Sequence, residues 1–218
     1  MKVKRKVNFY SAVIPATTGN GAAIRVYTNL RAYIDLGYTV ELILFLKDTD
    51  KSIVFDEFSS NLTIKIVKRW INGPTLYEKL SYIFGFPKQP LLNYLFPVRK
   101  IVLAEILKRL AKNSSQIHHF EYVDIASSFV GVNGNFIWSN HDLNPERYLF
   151  IQEIRGLLKE KASNFSRMFK YYQLKRSENW IAKQSKIMLN ISKTETHTYI
   201  NRVESVNSKL LPFSWPNE

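Results

Sequence analysis

Residues 7–45 read VNFYSAVIPATTGNGAAIRVYTNLRAYIDLGYTVELILF. An apolar strand over Val7 to Ile14 leads into the loop Pro15 to Gly21, then a long amphipathic run from Gly21 to Leu36, then a second apolar strand from Thr39 to Leu46. Within the run, Ala22, Val26, Leu30, Tyr33 and Ile34 recur near helical spacing, and Gly37 stands where the helix should be capped. This is a β-loop-α-β unit with its glycines at the mouth of the helix. The free N–H groups there, and the positive end of the helix dipole, make a ready site for phosphate or sugar hydroxyls. The backbone amides of Gly19, Asn20 and Gly21 are the candidate contacts.

Of two familiar loops, the dinucleotide fingerprint fits weakly and the P-loop does not fit. The third glycine of G-x-G-x-x-G is missing, because Arg25 and its neighbours fill the following turn. The Gly-Lys-Ser/Thr that closes a P-loop is replaced by Ala22, Ala23 and Ile24. A turn whose glycines merely permit positive φ is the plainer alternative.

The same rhythm continues along the chain. A third strand is expected from Leu62 to Val67, a helix from Val98 to Ala111, a strand from Gln116 to Phe120, a helix from Val123 to Phe129 and a strand from Asn135 to Ser139. After the HDLNPERY loop and a helical stretch come a strand from Lys186 to Ile191, a helix from Thr194 to Asn201 and a last strand near Lys209 to Leu211. Strands alternating with helices imply an α/β fold with a parallel β-sheet and helices on both faces. Ligands of such sheets sit beyond the carboxyl ends of the strands. Four of those ends carry polar residues: the glycine loop, His118 to Glu121, Asn140-His141-Asp142, and Ser192-Lys193-Thr194-Glu195.

The segment Trp70 to Pro97 departs from this rhythm. It is rich in aromatic and aliphatic residues but interrupted by Gly85, Pro87, Pro90 and Pro97, too broken for one helix. With Lys79, Lys88, Arg99 and Lys100 about it, the segment suits either a bilayer surface or packing on its own domain or a partner.

The chain has 218 residues, 45% hydrophobic, enough for one globular domain with a sizeable core. The basic start Met1 to Lys6 leads into a strand-like segment and does not read as a signal peptide, and no run of about 18 apolar residues is present. The absence of cysteine excludes disulfides, thiol catalysis and thiolate metal sites, and fits a cytoplasmic location, with a peripheral position at the inner face of the cell membrane as a variant. The net charge of +13 exceeds what solubility asks of such a domain. Between Ile151 and Lys186, Arg155, Lys159, Lys161, Arg167, Lys170, Lys175, Arg176, Lys183 and Lys186 face only Glu153, Glu160 and Glu178. An anionic membrane surface or a phosphorylated substrate fits this better than nucleic acid, for which no motif is present; a plain solvated surface is the alternative. No metal centre and no cofactor are indicated, since the histidines lack ligand spacing, and no G-x-S-x-G elbow points to a hydrolase.

Several segments, in order, resemble the N-terminal domain of a GT-B fold glycosyltransferase, of the large retaining family that includes bacterial phosphatidylinositol mannosyltransferases and sucrose synthase-like enzymes. PATTGNGAAIR resembles that family's proline and glycine-rich first loop, and DLGYTVELILF its approach to the second strand. IHHFEY resembles the histidine-bearing strand, IWSNHDL the strand ending in a histidine, and IMLNISKTET the family's later serine turn. The similarity runs from Val7 to Leu211 and implies a single Rossmann-like GT-B N-terminal domain over residues 1–212, with an insertion at 70–97 and the start of a linker at 213–218. It implies an acceptor-binding domain that moves a sugar from a nucleotide-diphosphate sugar to a polysaccharide or glycolipid acceptor of the cell envelope. The family's donor pocket lies in a C-terminal domain, so this chain is expected to need that domain or a partner subunit for turnover. A non-catalytic Rossmann-like subunit docking on a membrane or partner is the competing reading.

The resemblance implies that His141 meets the donor sugar, with Asp142 beside it; the alternative for His141 is a side chain bonded to its own loop backbone. His119 and Glu121, at a strand end, are expected to line the acceptor cleft, while the adjacent His118 suits a structural role equally well. Arg25 either pairs with a phosphate or anionic acceptor or is a surface cation. Arg147 either binds phosphate or pairs with Glu146 or Asp142. Lys193 and Glu195 either touch ligand or belong to a helix start capped by Ser192 or Thr194.

Overall fold

The computed structural model describes residues 5–47, 60–69, 73–85, 87–157 and 163–211. Segment 213–218, expected to open a linker, lies outside them, as do Trp70, Phe86, Lys159, Glu160 and Lys161.

Seven parallel strands form one sheet in the order β3-β2-β1-β4-β5-β6-β7. They are β1 (Lys6–Ser11), β2 (Thr39–Leu46), β3 (Leu62–Lys68), β4 (Ile117–Glu121), β5 (Asn135–Ser139), β6 (Ile187–Asn190) and β7 (Ser208–Leu210). The helices are α1 (Gly21–Asp35), α2 (Leu76–Phe84), α3 (Lys88–Leu95), α4 (Arg99–Leu110), α5 (Val123–Ala126), α6 (Asn144–Leu157), α7 (Asn164–Gln184) and α8 (Lys193–Arg202). The chain runs outward from β1 to β3 and then returns to the other side of β1, so the order reverses between β1 and β4, the usual place for a ligand crevice.

Alternation along the strands divides the core between two faces. Val7, Phe9, Val40, Leu42 and Leu44 pack against Val26, Tyr27 and Leu30 of α1. Tyr10, Ile43, Phe45, Phe120, Phe136, Trp138 and Met188 point the other way, into a larger cluster with Val102 and Ile106 of α4, Ile181 of α7 and Tyr199 of α8. Arg99 is buried within this second layer and fully engaged: Nε donates to the Ser127 carbonyl at 3.0 Å, Nη2 to the Val130 carbonyl at 3.0 Å and Nη1 to Asn93 at 2.9 Å.

Most element boundaries shift by a residue or more from expectation, and two departures have plain local reasons. β1 stops at Ser11, because the Ser11 hydroxyl takes the Val13 amide at 2.9 Å and turns the chain before Pro15. The broken segment after residue 73 is two helices: Thr75 and Glu78 form a reciprocal capping box at the start of α2, and Gly85, at φ +71, ends it ahead of Pro87. Among the described residues no helix is long and apolar enough to cross a membrane.

Candidate functional site

Asn20 fixes where α1 begins. Its side chain accepts from the Ala23 amide at 2.8 Å, with Gly19 at φ +103 delivering the loop into the cap. Gly21 and Ala22 of the first turn, with Arg25, form one wall of a cleft of about 390 Å³. The rest of the lining is Tyr122 after β4, His141 and Asp142 after β5, Arg147 of α6 and Ile191 after β6. Three strand ends and one helix start thus converge at the place where the strand order reverses.

Beneath the cleft lies Glu121, fully enclosed. Its Oε1 accepts from Asn29 Nδ2 of α1 at 2.8 Å and lies 2.9 Å from His119 Nε2; its Oε2 lies 2.5 Å from His141 Nε2. Burial alone would raise this carboxyl, but the hydrogen bonds of the two histidines win and hold it well below the ordinary carboxylate range. An ionised Glu121 accepts from both rings, so each Nε2 carries hydrogen. His119 Nδ1 then accepts from the Tyr33 hydroxyl, 2.9 Å away, while the ring stacks on Phe9 with centroids 4.5 Å apart. His141 Nδ1 is left as the nitrogen able to accept a proton or hydrogen bond. The His141 ring stacks on Tyr122 at 4.0 Å. Tyr122 occupies φ 70, ψ 154, a backbone region that belongs almost to glycine alone and that persists only where neighbours over-determine it.

Arg25 contrasts with Arg99. It is 3% exposed, yet among the described residues its Nη1 reaches only the Leu211 carbonyl at 3.4 Å, and Nε and Nη2 have no partner. Burial pulls its guanidinium below the ordinary value, while the charges of Glu121 and Glu195 act to hold it up. Arginine donors left dry beside helix-start amides are what an anion would satisfy.

The residues expected at the site are therefore divided. Gly21, Arg25, His141, Asp142 and Arg147 share the cleft. Arg147 Nη1 is paired to Asp142 Oδ2 at 2.6 Å on the exposed rim. His119 and Glu121 do not line a cleft; they are 1% and 0% exposed, because β4 alternation turns both beneath α1. Gly19 and Asn20 shape and cap α1. Glu195 accepts from the amides of Ile191 and Ser192, with Ser192 as the cap of α8, and Lys193 projects outward. His118 is buried on the opposite face, 2.9 Å from the Tyr10 hydroxyl. Tyr122, Asn29 and Tyr33 escaped the sequence reading. Tyr122 follows directly in IHHFEY, but nothing local marks its backbone, and Asn29 and Tyr33 lie 92 and 86 residues from their partners. Among the described residues no group of three or more His, Asp or Glu could hold a metal ion.

No protein-family model matches the chain, and no curated protein sequence does. Solved structures do. A sucrose-phosphate synthase chain from Thermosynechococcus elongatus matches at 12% identity and TM-score 0.54 over 96% of this chain and 90% of that one. A longer chain of the same protein matches at 13% identity and TM-score 0.58, and OtsA at 11% and 0.52, each over 96% of this chain. This chain spans 48% and 49% of those two, about half their length. The shared feature is the fold, a Rossmann-like α/β domain with a parallel sheet.

Proposed function

We propose that this chain is the acceptor-binding half of a GT-B glycosyltransferase. It would take a sugar from a nucleotide-diphosphate sugar held by a second domain or partner subunit, and pass it to a saccharide or glycolipid acceptor in building a cell-envelope polysaccharide. The observation that carries the reading is the arrangement of His141 over a buried Glu121, facing a cleft that also holds the unsatisfied Arg25 and the start of α1.

Retaining transfer asks for a stabilised leaving diphosphate and a well-placed acceptor hydroxyl, so positioning and charge do most of the work. In this reading Arg25 and the first amides of α1 meet phosphate or anionic sugar oxygens, and the Asp142–Arg147 pair forms the polar rim. His141 Nδ1 accepts from a sugar hydroxyl, its ring fixed by Glu121 and Tyr122. Asn29, His119 and Tyr33 support the carboxylate from behind.

The test is transfer by the chain together with its donor-binding half. His141→Ala is expected to lower kcat by about 10²-fold or more with the fold intact, in line with loss of one preorganised polar contact. Glu121→Gln should lower activity while leaving a histidine in place. An undiminished rate for His141→Ala refutes the assignment.

A further inference from the structure

Helix α2 is built inside out. The side chains it buries are polar, Glu78 and Ser81, with Glu78 also paired to Lys100 at 2.7 Å. The side chains it presents to water are Leu76, Tyr77, Leu80, Ile83 and Phe84, between 42% and 73% exposed. Their positions recur at helical spacing, so they form one stripe. A stripe of that kind on a protein surface marks something that covers it.

Helix α7 packs against the other side of α2, at Tyr82 and Gly85. The two helices are joined by Arg176 Nη1 donating to the Gly85 carbonyl at 2.9 Å and by the edge-to-face contact of Tyr82 with Phe169 at 5.3 Å. The first half of α7 carries Phe165, Met168 and Tyr172, the first of these 80% exposed. Among the described residues of α2, α3 and α7 the accessible charge has one sign. Their carboxylates are Glu78 and Glu178, both buried and paired, whereas Lys79, Lys88, Lys170, Arg176 and Lys183 are exposed. Exposed apolar side chains beside cations complement a partner that is hydrocarbon beneath and negative on top.

We propose that the exposed stripe of α2 forms a docking surface for an anionic lipid bilayer, with the stripe entering the headgroup boundary and Lys79, on its flank, meeting lipid phosphates. The proposal stands independently of the transferase reading.

Co-sedimentation of the chain with phosphatidylcholine vesicles, with and without phosphatidylglycerol, tests it. Binding is expected to the anionic vesicles and to weaken steeply with salt. The double change I83E and F84S, on exposed positions that leave circular dichroism unchanged, should lower partitioning by about tenfold or more, the equivalent of failing to bury two large side chains. Lys79→Glu should lower it by about fivefold or more. Absence of binding at low salt overturns the proposal, as does binding that the α2 changes leave intact. A self-associated form that those changes dissociate, with no effect on vesicles, would assign the stripe to a second copy of the chain and overturn it equally.

Discussion

Replacing Arg25 with methionine is expected to stabilise the fold and to remove anion binding at once. The guanidinium is 3% exposed, with Nε and Nη2 unpartnered and Nη1 at 3.4 Å from its carbonyl, beyond a good hydrogen bond. A buried donor left dry costs about 1–3 kcal/mol. The attraction of Glu121 and Glu195 returns part of this, although Glu121 keeps three other donors and Glu195 two amides. Exchanging a poorly satisfied buried ion for an apolar side chain of similar volume typically gains about 1–4 kcal/mol, and we take the low end, about 1–2 kcal/mol. For a chain of this size that is a rise in Tm of roughly 2–8 °C. Pyrophosphate added to the unaltered protein should raise Tm by mass action, and should do so far less in the variant, whose affinity falls by about tenfold or more. Arg99→Met is the control: three acceptors lose their donor, each at about 1–3 kcal/mol where buried, so the same exchange should destabilise by about 3 kcal/mol or more. If Arg25→Met lowers Tm as Arg99→Met does, or binds pyrophosphate unchanged, Arg25 is a structural residue and the reasoning fails.

Other expectations concern His118 and Tyr122. Burial, aided by the charge of Arg109, pushes His118 down from 6.5 to about 4. The folded state resists this proton while the unfolded chain accepts it, so the stability that neutral His118 contributes is complete above 6.5 and drains away as pH falls towards 4, by roughly 3 kcal/mol in all. Urea unfolding of the unaltered protein and of His118→Gln should diverge across that window; parallel pH profiles would refute it. At Tyr122 the positive φ predicts a reversed order of substitutions. Tyr122→Gly should be more stable than Tyr122→Ala by about 1 kcal/mol, although glycine ordinarily costs more than alanine, and equal or opposite urea midpoints would deny the strain.

The sequence exposed what is periodic and local. The parallel sheet follows from strands alternating with helices, the start of α1 from the glycine loop and its end from Gly37, and a cap for α8 from the Ser192–Thr194 turn, where the structure selects Ser192. It did not expose what depends on which way a strand side chain turns once its neighbours are known. His119 and Glu121 stand at a strand end, as a cleft residue would, and only the registration of β4 beneath α1 buries them. Arg25 reads equally as a phosphate partner or a surface cation until the Leu211 carbonyl and the strand-end loops close around it. The inverted face of α2 escaped for the opposite reason: apolar periodicity normally points inward, and the composition of the helix does not tell which face its neighbours cover.

Helix α1 spans both the mouth of the cleft and the support beneath it. Gly21, Ala22 and Arg25 lie in its first turns, while Asn29 and Tyr33, one and two turns beyond Arg25, grip Glu121 and His119. At about 1.5 Å of rise per residue, Arg25 and Tyr33 are some 12 Å apart on a single stiff rod. Whatever draws the first turn toward a bound anion must therefore carry Asn29 and Tyr33 with it, so occupancy of the cleft and the aim of the His141 ring share one mechanical axis.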